Sequence, residues 1–273
     1  KRKPVIYEML DTTEDEIFLP WVIRNVCIKI DKLFMRFASG VILADEAQIE
    51  ELGGVPNSKV VTVYDSPPDT FNKMDISPRG NDTFTLFYGG MLLSAKLLNL
   101  DKIFTAIKDI EGVRIIVAGF GDLVDKIKEW SHQMPDKIQF IGEISHAEVL
   151  KRSVEAELLF ILRSPLVLAN KYICGSKVLE AMMCGTPILV NKETSTASKV
   201  YEENCGLVVD ASNIEEIKKA IIRLRDDPEL CEELGANARR AYEQRYGWDI
   251  MEQRLVDLYR ELTVEIEQRN KEA

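Results

Sequence analysis

Apolar positions along the chain fall into two patterns. Short continuous runs, most of them ending in glycine, asparagine or aspartate, read as strands buried on both faces. They are PVIYEML (4–10), SGVILAD (39–45), KVVTVYD (59–65), TFTLFYGG (83–90), VRIIVAGFG (113–121), KIQFIGEI (137–144), AELLFILR (156–163), TPILVN (186–191) and GLVVD (206–210). Between them lie segments with apolar residues three and four apart, the spacing of one helix face. NLDKIFTAIKDI, LVDKIKEW, HAEVLKRSV, SKVLEAMMCG, TASKVYEENC and IEEIKKAIIRLRDD are of this kind. PELCEELGANARRAYEQRY and WDIMEQRLVDLYRELTVEIEQ predict longer helices at the end. Regular strand–helix alternation predicts an α/β fold with a doubly wound parallel sheet.

The first part of the chain needs separate treatment. Over 16–38, Leu19, Val22, Ile23, Val26, Ile30, Leu33 and Phe37 predict one apolar helix face for the core. Trp21, Ile28 and Met35 form a second stripe at seven-residue spacing, flanked by Arg24, Lys29, Lys32 and Arg36. Apolar residues edged by basic ones suit a membrane surface or lipid-linked acceptor; the plainer alternative is packing against the absent first half of the domain. EAQIEELGG predicts a helix closed by Gly53 and Gly54. The stretch 66–82, with Pro67, Pro68, Pro78 and Gly80, reads as a linker.

Composition narrows the function classes. A net charge of -10 argues against nucleic acid as a partner, since phosphate binding needs clustered Lys and Arg. Five scattered cysteines, with no C-x-x-C pair, fit reduced thiols in the cytoplasm. His132 and His146 stand apart from any acidic or cysteine cluster, so no metal is expected. They also give little support to a Ser-His-Asp triad. No apolar run is long enough for a transmembrane helix.

Ligands of such sheets bind beyond the carboxyl ends of the strands, and four places there merit attention. Gly89-Gly90, with Lys96 following, offers close backbone approach and a point charge for phosphate, or a tight turn with a solvated lysine. Gly119-Phe120-Gly121 lacks the third glycine of a dinucleotide fingerprint and reads better as a compact turn. Gly142-Glu143 closes a strand where a flat base could lie against the backbone, or is a plain strand–helix turn. The segment Gly175-Ser176-Lys177-Val178-Leu179-Glu180 starts a helix whose free N–H groups and dipole suit a diphosphate. Lys177 adds to that field, and Glu180 offers a carboxylate to ribose hydroxyls. The plainer alternative is that Glu180 merely favours the helix N-terminus while Lys177 points to solvent.

The ordered set FYGGMLLSAK, RIIVAGFG, IQFIGEISHAEVLKR, KYICGSKVLEAMMCGTPILV, CGLVVDASNIEEIKKAI and DDPELCEELGANARRAYEQRYGWD resembles the retaining glycosyltransferases of family 4 (glycosyl transferases group 1). That resemblance implies a GT-B fold of two facing Rossmann-like domains. It implies a partial N-terminal, acceptor-side domain over 1–75, whose first hundred residues or so are absent by ordinary domain size. A nucleotide-sugar domain would cover 76–247, and a helix over 248–273 would cross back. The implied activity is transfer of a hexosyl group from a nucleotide-diphosphate sugar with retention, without cofactor or metal. Fixed dipoles and cations would stabilise the leaving diphosphate. Lys96 and Glu180 would be the catalytic residues, Lys96 on the diphosphate and Glu180 on the ribose. Gly89, Gly90, Gly119, Gly142, Glu143 and residues 176–180 would line the donor site.

The sequence also departs from the family pattern. Tyr172 stands where the first of the paired glutamates is expected, Gly90 or Met91 where an arginine is expected, and Leu97 where a glycine is usual. Near Leu10 and Asp11 the family often has a histidine. A Lys-x-x-Glu arrangement like Lys177 to Glu180 marks a branch that dispenses with the first glutamate. The expected partners are therefore a nucleotide-sugar donor, a sugar or lipid-linked acceptor, and a segment or subunit completing the first domain. The expected location is the cytoplasm, with peripheral attachment to a membrane as an option. A non-catalytic nucleotide-sugar-binding or partner subunit is the second reading.

Overall fold

A computed structural model describes residues 3–11, 21–57, 59–71, 83–94 and 98–272. Two parallel sheets organise them. The smaller contains β1 (Ile6–Met9), β2 (Gly40–Leu43) and β3 (Val60–Thr62), in that order. Helix α1 (Trp21–Phe37) joins β1 to β2, and α2 (Ala47–Leu52) joins β2 to β3. Gly53 ends α2 in the left-handed conformation at φ 61°, as its sequence predicts. β2 is buried along its whole length, which explains its unbroken apolar run.

One face of this sheet packs Met9, Val41 and Leu43 with Met35 of α1 and Leu52 of α2. The other packs Ile42 against Leu258 and Leu262 of the last helix, α11 (Trp248–Glu272). Gly40 lets that helix approach closely: a Cβ there would stand 3.1 Å from Leu258 Cδ1.

Two expectations for this region are corrected. Helix α1 turns the opposite way. Met35 is fully buried and Ile28 packs beside it, while Val22, Ile23, Val26, Ile30, Leu33 and Phe37 are exposed. Ile28 and Met35 of the seven-residue stripe therefore face the chain's own sheet. Periodicity locates a helix face but not its neighbour, and this helix has two apolar faces. Leu19 lies outside the described residues. β1, expected to be a buried strand, is an edge strand with only Met9 buried. Its flanking residues Val5 and Leu10 are exposed.

The larger sheet contains β4 (Phe84–Met91), β5 (Val113–Phe120), β6 (Ile138–Phe140), β7 (Leu158–Ile161), β8 (Ile188–Asn191) and β9 (Gly206–Val209). Its order is β6-β5-β4-β7-β8-β9, with every pair parallel. The chain runs from the centre to one edge, returns to β7, and runs to the other edge. The strand order reverses between β4 and β7, and a crevice opens there beyond the carboxyl ends.

Successive residues of each strand serve opposite cores. Leu86, Tyr88, Ile115, Val117, Leu158 and Phe160 face α3 (Leu100–Ile107), α4 (Val124–Gln133) and α9 (Ile214–Asp226). Phe87, Ile116, Leu159 and Ile161 face α5 (His146–Glu155), α7 (Ser176–Cys184), α8 (Ser195–Glu202) and α10 (Pro228–Ala241). The short α6 (Leu168–Tyr172) went unpredicted, being too brief to show a helical period. A π-helical turn, Tyr242–Tyr246, leads through Gly247 into α11.

A buried polar cluster joins the two sheets. Asp45, just past β2, is fully buried. Lys199 Nζ of α8 donates to both its carboxylate oxygens at 3.1 Å. The Ser195 hydroxyl donates at 2.6 Å and the Cys174 N–H at 2.7 Å. The Lys199 ammonium also sits 4.9 Å from the centre of the Tyr64 ring.

Candidate functional site at the start of α7

Four of the helices around the larger sheet have side-chain N-terminal caps, and α3, α4, α6 and α7 do not. Ser145, Thr194, Asn213 and Asp227 each accept a hydrogen bond from a backbone N–H in the first turn of α5, α8, α9 and α10. Helix α7 begins after Gly175, which has no side chain to do this. Its first N–H groups are left for an external acceptor, at the positive end of the helix dipole. The sequence makes this local choice with one residue.

Lys177 and Glu180 lie one turn apart on the same side of α7, with Nζ 4.0 Å from Oε2. Both side chains are largely buried, at 20% and 13% exposure. Lys177 Nζ also lies 5.6 Å from the centre of the Tyr88 ring. Burial pulls the Lys177 ammonium below the ordinary lysine range, Glu180 opposes this, and Arg163 adds to it. Tyr88 is pushed up to about 12, chiefly by burial.

His146, the first residue of α5, brings Nε2 to 3.2 Å from Glu180 Oε1. Glu180 thus stands between a lysine and a histidine. The side is equipped to hold an anion and to orient a hydroxyl-bearing group.

The strand ends shape the opposite wall. Gly90 has φ 146°, and a Cβ on it would stand 2.4 Å from Lys177 Nζ. The lysine fits only because Gly90 has no side chain. Gly119 has φ 144°, and its Cβ would stand 1.8 Å from the Gly90 carbonyl oxygen. Its N–H donates to the Gly142 oxygen at 2.8 Å.

The predicted site residues therefore separate by role. Gly90, Ser176, Lys177 and Glu180 come together. Gly89 packs instead under Val149 and Phe87. Gly119 holds strand ends together. Gly142 is open, with nothing within 4 Å of where a Cβ would stand, and Glu143 is exposed. Val178 and Leu179 point into the core, because the helical period turns them away from the 177–180 side. Their side chains take no part in the crevice, and the Val178 N–H already donates to the Gly175 oxygen at 3.1 Å. Lys96 lies outside the described residues.

Two residues of the site were not anticipated, His146 and Arg163. Arg163 follows β7, and its Nη1 lies 3.0 Å from where a Cβ of Gly175 would stand. Its position after a strand was the available signal. His146 had only the Ser145 cap before it as a cue. Of Gly90 and Met91, the two positions at which the resemblance implies an arginine, Met91 is half exposed at the end of β4. Among the described residues no three His, Cys, Asp or Glu side chains gather as a metal would require. None of the described helices is long and apolar enough to cross a membrane.

Comparison with known proteins agrees with this architecture. The structure of Anabaena Alr3699/HepE in complex with UDP superposes with a TM-score of 0.76 at 17% identity, covering 95% of this chain and 72% of that one. Sucrose-phosphate synthase from Thermosynechococcus elongatus gives 0.69 at 17% identity, covering 95% and 67%. These likenesses show the GT-B fold, with its Rossmann-like parallel sheets. In sequence, the chain is 22% identical over 147 residues to a Corynebacterium glutamicum protein, the GDP-mannose-dependent monoacylated alpha-(1-6)-phosphatidylinositol monomannoside mannosyltransferase. The match covers 53% of this chain and 38% of that protein. It is 23% identical over 190 residues to the uncharacterized glycosyltransferase MJ1607 of Methanocaldococcus jannaschii, covering 69% and 47%. The chain thus spans about half or less of the length of these two relatives. Residues 69–241 match the family described as glycosyl transferases group 1. The chain belongs to that family.

Proposed function

We propose that this chain binds a nucleotide-diphosphate sugar in the crevice at the start of α7 and serves in transfer of its sugar to an acceptor hydroxyl with retention. The observation that carries this reading is the buried Lys177–Glu180 pair beside an uncapped helix start, at the point where strand order reverses. The diphosphate would accept from the free N–H groups of Ser176 and Lys177 and from the Lys177 ammonium. Glu180, held by His146, would accept from the ribose hydroxyls. In the reaction the bond from the anomeric carbon to the diphosphate oxygen breaks, and the nucleoside diphosphate leaves with that electron pair. The acceptor oxygen bonds to the same face of that carbon, and its proton passes to the departing diphosphate oxygen. Cations and dipoles aimed at the leaving group lower the barrier. Residues 76–247 form the donor side in this reading, with 1–75 on the acceptor side and 248–273 crossing between them. No metal or cofactor is assigned a role. Lys96 belongs to the diphosphate by resemblance alone. The GDP-mannose in the name of one relative, and the UDP bound to one structural neighbour, support a nucleotide donor without fixing its base.

Calorimetry with UDP, GDP and ADP tests donor binding. Glu180→Gln is expected to weaken the bound nucleotide about tenfold to a hundredfold, the range for a hydrogen bond to a charged group. Unchanged affinity would remove Glu180 from the ribose site. Gly90→Ala is expected to cost about tenfold in diphosphate affinity by displacing the Lys177 ammonium, while nucleoside binding holds. Equal loss of both ligands would mean a general distortion of the crevice.

A second reading, a donor-binding subunit that does not transfer, is favoured by Tyr172, and by Gly90 or Met91, standing where the resemblance implies a glutamate and an arginine. Binding without turnover over a panel of acceptors, with the full-length gene product, would select it.

A further inference from the structure

Arg163 brings a second cation to the start of α7, beside Lys177. It reaches the start of α7 from the other side of the reversal point, two residues past β7. Its backbone is fixed by Asn191 Nδ2, which donates to the Arg163 oxygen at 2.9 Å. Its guanidinium occupies the space that any side chain at residue 175 would need. Gly175 therefore does two things at once: it leaves α7 uncapped, and it admits the arginine.

The electrostatics of this arrangement are unfavourable without a ligand. Arg163 Nε is buried with no acceptor. Its guanidinium forms no ion pair among the described residues. It faces the positive end of the α7 dipole, and it disfavours the charged form of Lys177. Two cations and a helix start thus meet with one carboxylate, Glu180, nearby. A buried donor without a partner costs about 1–3 kcal/mol, so an arrangement of this kind fits a site whose balancing charge arrives with the ligand.

We propose that Arg163 is the second cation of the diphosphate site, reaching it from the β7 side. This rests on the donor reading given above. The guanidinium would take one phosphate group through its planar fork while Lys177 meets the other as a point charge. The leaving group then meets two fixed positive side chains.

The test compares the wild-type protein with Arg163→Gln and Arg163→Lys. The probes are UDP, GDP, ADP, inorganic pyrophosphate and the matching nucleosides, with binding followed by calorimetry and ligand-observed NMR. Arg163→Gln is expected to weaken the preferred nucleoside diphosphate and pyrophosphate about tenfold or more and to leave the nucleoside within about twofold. Pyrophosphate binding alone, with no gain from the nucleoside, would identify a free-phosphate site and overturn the donor assignment. The alkaline loss of diphosphate binding, which follows deprotonation of Lys177 among Glu180, Tyr88 and Arg163, is expected to move to higher pH once the neighbouring guanidinium is gone. Should Arg163→Gln fail to fold by thermal melting, Arg163→Lys carries the test, with about threefold loss confined to the phosphate-bearing ligands. Equal loss of nucleoside and diphosphate, or no loss of either, overturns the role of Arg163 and leaves donor binding standing. Failure of the wild-type protein to bind any nucleoside diphosphate overturns both.

Discussion

Asp45→Ala is expected to destabilise the protein by about 3 kcal/mol or more, the cost of leaving one member of a buried ion pair behind. The carboxylate is fully buried and the Lys199 side chain is 4% exposed. Removing Asp45 takes the acceptor from the Ser195 hydroxyl and the Cys174 and Ala47 N–H groups, and leaves the buried ammonium without its carboxylate, donating only to Ser195 Oγ. Glu46 Oε1, 3.7 Å from Lys199, offers a partial substitute, which keeps the estimate near the lower end of that range. Urea denaturation measures the loss. Replacing both partners by apolar residues, as in Asp45→Leu with Lys199→Met, is expected to recover much of it, because no charge is then stranded. A cost below about 1 kcal/mol for Asp45→Ala would mean that water reaches the pair. The substitution also reaches the site. Cys174 immediately precedes Gly175, so its bond to Asp45 fixes the approach to α7, and diphosphate affinity is expected to fall along with stability.

The second large effect is at Gly119. Gly119→Ala is expected to cost about 3 kcal/mol or more, since both overlap and backbone strain oppose it. The new methyl would meet a carbonyl oxygen of β4 at 1.8 Å, and no side-chain rotation can relieve that. The ends of β4 and β5 must part, and they carry one wall of the crevice. Gly142→Ala is the control. Its φ is 77° but its surroundings are open, so only the strain of the left-handed region remains, about 1–2 kcal/mol. Thermal or urea unfolding of the two variants separates contact from conformation. Equal costs would show that backbone conformation alone decides.

How much of this was legible in the sequence varied with the range of the interaction. Strands of the larger sheet announce themselves because both faces are buried, which makes TLFY, RIIVA and LLFI continuous apolar runs. The start of α7 was legible because a glycine, a lysine and a glutamate within six residues carry the chemistry locally. Arg163 was not, because a single cation after a strand has no motif of its own. Its meaning comes from Gly175 folding back against it. The Asp45–Lys199 pair joins residues 154 positions apart, and neither carries a local mark of its partner. Helix α1 shows the opposite failure, a strong local signal with the wrong inference. The described residues of its more obvious apolar stripe are exposed, and the sheet takes Ile28 and Met35 instead.

The packing of α11 on the small sheet bears on how the chain is made. Ile42 of β2 finds its cover in Leu258 and Leu262, which follow the whole of the larger sheet in sequence. On the ribosome, β1, β2 and β3 emerge before the larger sheet, and Ile42 lacks the cover of Leu258 and Leu262 until α11 is synthesised. The larger sheet can close in the meantime from contacts among its own segments. Order of synthesis and order of completion are therefore inverted, and during that interval the apolar face of β2 is available to chaperones or to wrong partners.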